Sequence, residues 1–190
     1  MTYALESLYE HQDFDWVVDS IPYVLAWIAD DATGDERRGR LFKLTTTRPG
    51  REMPEQMEID LIWSLDALKQ RDAALLTRVE RLCSSHTVDR EHIPENAAYG
   101  LALVAISILM PGRRVIHMLK GRAPDFLFDV TPGALRGVEV AGRTSGGFAA
   151  LRAVRLEKSP KLKTRQDLAE VHLSLWCAGP PVSELHQITP

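Results

Sequence analysis

At Met110-Pro111-Gly112 the spacing of apolar residues changes its period, and this change constrains the fold more than any other feature of the chain. Ahead of it, the run from Pro94 to about Met110 is apolar nearly all round, as a buried helix is. Beyond it, RRVIHMLKG, DFLFDV and RGVEVAGR read as three β-strands, the last two joined by the turn-forming TPGALRG. SGGFAALRAVRLEK returns to helical spacing, with Phe148, Leu151, Val154 and Leu156 as apolar positions, and AEVHLSLWCA is a further strand. Residues 91–178 therefore run helix, three strands, helix, strand. That order predicts an α/β class, a layered sheet covered by helices. The Gly-Pro-Pro that follows ends the regular structure, and residues 179–190 read as a loosely held tail.

Residues 1–90 read as a mostly helical region packing on that core. Asp13 or Asp15 caps a helix carrying Trp16, Val17, Ile21, Val24, Leu25 and Ile28 on one face, with Pro22 kinking it or starting its second half. DDATGDERRG is a solvated turn, RLFKLTTT a short strand, and RPGREMP its end. Pro54 then suits the first turn of a long helix, with Glu55, Glu58 and Asp60 at the positive end of its dipole. Met57, Leu61, Leu65, Leu68, Leu75, Val79 and Leu82 form its buried stripe, and SSHTVDRE is a loop. Trp16, Trp27 and Trp63 sit on helical faces as core residues.

A length of 190 residues suits one domain, or one with a helical annex. Cys83 and Cys177 have no CxxC partner, so neither a disulfide framework nor a zinc site is indicated, which suits a reducing cytoplasm. The acidic start MTYALESLYEHQDFDW lacks the basic n-region of a signal peptide. The longest apolar run, Tyr99 to Met110, falls short of the roughly 20 residues a membrane span needs. A soluble, cytoplasmic protein is expected.

The net charge of -3 conceals a division. Residues 1–110 carry 11 Lys and Arg against 19 Asp and Glu, whereas residues 111–165 carry 12 against 4. The basic middle is suited to an anionic partner, or the two blocks attract one another within the fold.

The chemistry concentrates in APDFLFDVTPGALRGVEVAGR, residues 123–143. Asp125 opens one strand and Glu139 lies midway along the next, so a hairpin lets the two carboxylates face each other. With the backbone carbonyl of Val140 beside them they make a hard oxygen set suited to Mg²⁺ or Mn²⁺. Asp129, at i+4 from Asp125, shares its face and is either an alternative ligand or a turn residue. Glu139 between two valines needs a counter-charge if buried, and Arg136 or Arg143 can serve in a purely structural pair.

Pro124-Asp125 followed by Gly137-Val138-Glu139-Val140-Ala141 resembles the PD-(D/E)XK signature of the restriction-endonuclease-like superfamily. The order of elements over residues 91–178 is similar to that superfamily's αβββαβ core, and VEVAGRTSGG resembles strands of its Mrr-like members. The resemblance implies one or two divalent ions held by Glu95, Asp125, Glu139 and the Val140 carbonyl, with Asp125, Glu139 and Arg143 as the catalytic set. Glu95 is equally an ordinary acid at a helix N-terminus.

One departure stands out: the motif lysine is replaced by Ala141, and a methyl group can neither orient water nor hold charge. Arg143 lies on the same strand face, though it stays protonated and cannot act as a base. Lys158, Lys161 and Lys163, on or after the next helix, can reach in instead. With Arg152 and Arg155 these lysines are also the expected contacts to a nucleic-acid backbone.

TSGG at Thr144 to Gly147 can present N–H groups to phosphate, but there is no Walker pattern. No GxSxG, Cys–His or dinucleotide fingerprint occurs, and His86, His92, His117 and His172 lack metal-ligand spacing. The expectation is a metal-dependent DNA phosphodiester hydrolase of bacterial defence, repair or mobile-element biology. The alternative is an inactive nuclease-fold subunit that binds DNA or protein. DNA would meet residues 111–165, and a protein partner or a second copy would meet the acidic N-terminal region.

Overall fold

The computed structural model describes residues 1–10, 15–28, 38–84, 91–118, 123–129 and 134–188. The chain opens with strand β1 (Thr2–Ala4), a 3-10 helix (Leu5–Glu10) and helix α1 (Asp15–Ile28). A hairpin of β2 (Arg38–Thr47) and β3 (Glu55–Trp63) precedes helices α2 (Leu65–Arg71) and α3 (Leu75–Ser84). Then come α4 (His92–Leu109), β4 (Val115–Met118), β5 (Phe126–Phe128), β6 (Arg136–Ser145) and α5 (Gly147–Leu162). Strands β7 (Glu170–Gly179) and β8 (Val182–Gln187) end the regular structure. From α4 to β7 the expected order of elements is present.

All the strands join one eight-stranded sheet, ordered β1-β3-β2-β8-β7-β6-β5-β4. β1 with β3, β2 with β8, and β6 with β7 are parallel pairs; the remaining neighbours are antiparallel. The α/β class with a mixed sheet is thus observed. Side-chain alternation gives the sheet two apolar faces. Phe42, Leu44, Ile59, Leu61, Val138, Val140 and Trp176 pack under α1 and α4. Ala141, Val171, Leu173, Leu175 and Cys177 meet Leu151, Val154 and Leu162 of α5 on the other face. Phe148 and Leu156, expected on the packed side of α5, are exposed.

The arrangement of elements departs from expectation in three places. Residues Glu55–Trp63 form a strand rather than the start of a long helix, so Trp63 is a strand residue. Ile59, Leu61 and Trp63 recur at a period of 2 and are all buried, and pairing with β2 satisfies the backbone of both strands. Helix begins only at Leu65, where Ser64 caps α2 by accepting a hydrogen bond from Ala67 N at 3.2 Å.

The second departure is the C-terminal segment. Val182–Gln187 is an interior strand between β7 and β2, not a loose tail. Its polar residues Glu184 and His186 are buried because partners wait for them: His186 meets Thr47 Oγ1 at 2.6 Å and Glu184 Oε2 at 2.6 Å. Third, the N-terminal region is not a purely helical layer, since β1, β2 and β3 extend the same sheet as the later strands.

Helix α4 meets the length and composition of a membrane span, yet half of that window is buried within the protein, where it packs against α1 and β6. The capping Asp13, the polar stretch 30–37, the loop 85–90 with His86 and the turn at 130–133 lie outside the described residues.

Candidate functional site

Strand alternation decides where Glu139 goes. Val138 and Val140 turn under α4, so Glu139 and Ala141 turn toward α5. Phe126 pairs with Val138, which brings the preceding residue, Asp125, beside the Glu139–Val140 stretch. Asp125 Oδ2 accepts a hydrogen bond from Val140 N at 2.7 Å, fixing the two strands to each other at this point.

Helix α4 reaches the same place because β6 has a glycine there. A Cβ on Gly142 would run into the Pro94 carbonyl, so only glycine lets the first turn of α4 lie across the strand. One turn further along, the Tyr99 hydroxyl stands 3.3 Å from Glu95 Oε1 and 3.4 Å from Asp125 Oδ1. Its ring rests on Phe126, with centroids 5.4 Å apart. A single hydroxyl proton can serve only one of these carboxylates at a time. Burial, followed by the charges of Asp125 and Glu95, raises the Tyr99 phenol far above its ordinary range, so it stays protonated and acts as a donor.

From the opposite side of the sheet comes Lys158 of α5. Its Nζ donates to Glu139 Oε1 at 2.5 Å and lies 3.5 Å from the Val140 carbonyl oxygen. Glu139 is only 7% exposed, and its other oxygen, Oε2, is buried without a hydrogen-bond partner. Burial first, and the Glu139 charge second, push the Asp125 carboxyl up to about 7, against the opposing pull of the Val140 N–H, Lys158 and Tyr99. A carboxyl so placed exchanges its proton near neutral pH, as acid–base groups in functional sites do.

Lys158 stands at a cleft of about 650 Å³. Its walls are Glu91, Pro94 and Glu95 around the start of α4, Val140 to Thr144 of β6, and Lys158. Arg143 is exposed on this wall and donates to the Gly142 carbonyl at 3.0 Å. Asp125 and Glu139 lie behind the wall, reached through Lys158 and Val140 rather than lining the cleft themselves.

Several expectations need correction. Among the described residues no three or more His, Cys, Asp and Glu side chains gather as a metal-holding group, so Glu95, Asp125 and Glu139 do not form one shared ligand set. The reason is visible in the contacts: Glu95 turns to Tyr99 and His92, and Glu139 is held by Lys158. The counter-charge of Glu139 is thus a lysine and neither Arg136 nor Arg143. Asp129 is no alternative ligand, since it is buried, has φ 76°, and pairs with both Arg113 and Arg136.

Of the expected backbone-tracking residues, Arg152, Lys161 and Lys163 are exposed. Arg155 instead turns to β8, 2.9 Å from His186 Nε2 and 3.5 Å from Glu184 Oε2, and Lys158 is committed to Glu139. Sequence reasoning passed over Tyr99. The signal that would have found it is its i,i+4 spacing from Glu95 on a helix already suspected of supplying an acid.

The chain matches no family model, no curated protein and no solved structure.

Proposed function

We propose that this chain is a divalent-metal-dependent phosphodiester hydrolase acting on DNA, with a restriction-endonuclease-like core formed by α4 to β7. The observation that carries the reading is Lys158. An ammonium from α5 reaches the Glu139–Val140–Ala141 stretch, standing 2.5 Å from Glu139 Oε1, so the amine that Ala141 lacks arrives from a neighbouring element. Asp125, Glu139 and the Val140 carbonyl suit a Mg²⁺ ion, which needs only one or two carboxylates and keeps its waters. The unpartnered Oε2 of Glu139 supports that fit, because a buried carboxylate oxygen without a donor is costly unless a cation takes it. When bound, the ion would acidify a water and offset charge on a phosphate.

The protein's own groups divide the remaining work. Lys158, once withdrawn from Glu139, holds a non-bridging phosphate oxygen, and Arg143 on the cleft wall holds the neighbouring phosphate. Tyr99, whose hydroxyl stands 3.4 Å from Asp125 Oδ1, steadies that carboxylate for the ion. Exposed Arg152, Lys161 and Lys163 provide a salt-sensitive, sequence-independent grip on the backbone.

Cleavage of supercoiled and linear duplex DNA with Mg²⁺ or Mn²⁺, paired with calorimetry of metal uptake, tests the reading. Uptake and cleavage by the parent, and loss of both in Asp125→Asn, are expected; Lys158→Ala should lose cleavage. No uptake by the parent, and no cleavage with either ion, would overturn it. A second reading, an inactive fold serving as a binding subunit, is favoured by the Lys158–Glu139 pair, which neutralises the site without a metal. DNA retention in a low-salt mobility shift, with no metal uptake, is its signature.

A further inference from the structure

We infer a second ligand site, for a small phosphomonoester of about mononucleotide size, at the end of the sheet opposite the carboxylate cleft. A cavity of about 340 Å³ opens there beneath the last turn of α4, within the size range of small-molecule sites. Its polar side includes Arg48, Arg113, Arg136, His172 and the carboxylate of Glu170, and its apolar side Leu109, Met110 and Leu185.

The charges do not cancel. Arg136 is spoken for by Asp129 and by Glu170, whose Oε2 lies 2.9 Å from Arg136 Nε. Arg113 shares Asp129, with 2.9 Å between its NH1 and Oδ1, while its side chain stays 41% exposed. Arg48, just beyond the end of β2, is exposed and has no carboxylate partner among the described residues. Among the described residues three guanidinium groups therefore meet two carboxylates, and the surplus is Arg48.

His172, at 5% exposure, is held by Glu170 at 3.0 Å, and burial lowers its pKa, so it faces the cavity as a neutral ring and adds no further charge. A guanidinium fork with a spare edge is the side chain that takes phosphate oxygens two at a time. The flank of Leu109, Met110 and Leu185 then offers an apolar wall for the organic body that carries the phosphate. Surplus cation on one side and apolar wall on the other define a ligand with one anionic end. None of these residues belongs to the carboxylate cleft.

Calorimetry with adenosine 5′-monophosphate and with inorganic phosphate tests the inference on the parent chain, Arg48→Ala and Glu139→Gln. Arg48 is exposed and has no carboxylate partner among the described residues, so its substitution leaves the fold intact, which a melting curve verifies. Adenosine monophosphate should bind once per chain, phosphate more weakly, Arg48→Ala should weaken the nucleotide at least tenfold, and Glu139→Gln should leave it unchanged. No heat from either probe at millimolar concentration would overturn the inference. So would nucleotide binding that survives Arg48→Ala, or that is lost in Glu139→Gln, which would move it to the other end of the sheet.

Discussion

Replacing Asp125 with asparagine should stabilise the protein at pH 8 and do nothing comparable at pH 4. The folded-state carboxyl is raised from 3.8 to about 7, chiefly by burial and then by Glu139. A raised carboxyl binds its proton more tightly in the folded chain than in the unfolded one. Its favourable contribution is therefore complete below about pH 4 and is lost as pH rises through 7. At about 1.4 kcal/mol per tenfold change in proton affinity, the three-odd decades come to about 4 kcal/mol; partial exposure reduces this to about 2–4 kcal/mol.

Asparagine keeps an oxygen for the Val140 N–H and offers Tyr99 an amide, so both hydrogen bonds have a successor while the charge is gone. For a chain of this size the gain corresponds to about 5–12 °C in melting temperature. The assay is the difference in melting temperature between variant and parent from pH 4 to pH 8. Taking the difference cancels His172, whose lowered pKa works in the opposite direction, adding stability as pH rises toward 6.5. A difference that stays flat across that range, or a variant less stable than the parent at pH 8, would refute the reasoning. Stability gained together with metal uptake lost is the behaviour of a group kept for function at the fold's expense.

Lys158→Met should cost about 1–3 kcal/mol, because it strands a carboxylate whose side chain is only 10% exposed, and adding Glu139→Gln should recover more than half. Urea titrations of the two single variants and the double variant check this, and additive losses would show that the pair is not coupled. Tyr99→Phe keeps the ring on Phe126 but removes a hydrogen bond that lowers the Asp125 pKa, so NMR titration should find that carboxyl higher still. An unchanged value would separate Tyr99 from the acid. Gly142→Ala should destabilise by about 1–3 kcal/mol as the first turn of α4 is pushed from β6, and a melting temperature equal to the parent's would show that α4 does not seat there.

Much of the fold was legible because local pattern and tertiary context agree over residues 91–178. The apolar run of α4, the β-branched strands and the return to helical spacing in α5 each have one reading. Residues Glu55–Trp63 have two. Met57, Leu61, Leu65 and Leu68 satisfy helical spacing, while Ile59, Leu61 and Trp63 satisfy alternation. Pairing with β2 settles the matter, and a partner strand lies beyond what spacing within one segment can report. VSELHQ failed for the complementary reason: a strand bearing Glu184 and His186 looks solvent-bound until Arg155 from α5 and Thr47 from β2 are seen to meet them inside.

The candidate site divides along the same line. Asp125 and Glu139 could be read together because antiparallel pairing of β5 with β6 leaves little freedom in where they meet. Lys158 could not be chosen over Lys161 and Lys163 from spacing alone, since the choice depends on which face of α5 packs on β6 and β7. The buried residues Leu151, Val154 and Leu162 fix that face, and position 158, between 154 and 162 at helical intervals of four, turns toward the sheet with them. Lys161 and Lys163 fall off that stripe and stay exposed. Arg155, one position round from Val154, is drawn in over β8 by the same packing. The small residue at Ala141 and the inward turn of Lys158 are therefore linked. A small side chain on β6 opens space above the strand, and the apolar stripe of α5 determines which cation can enter it.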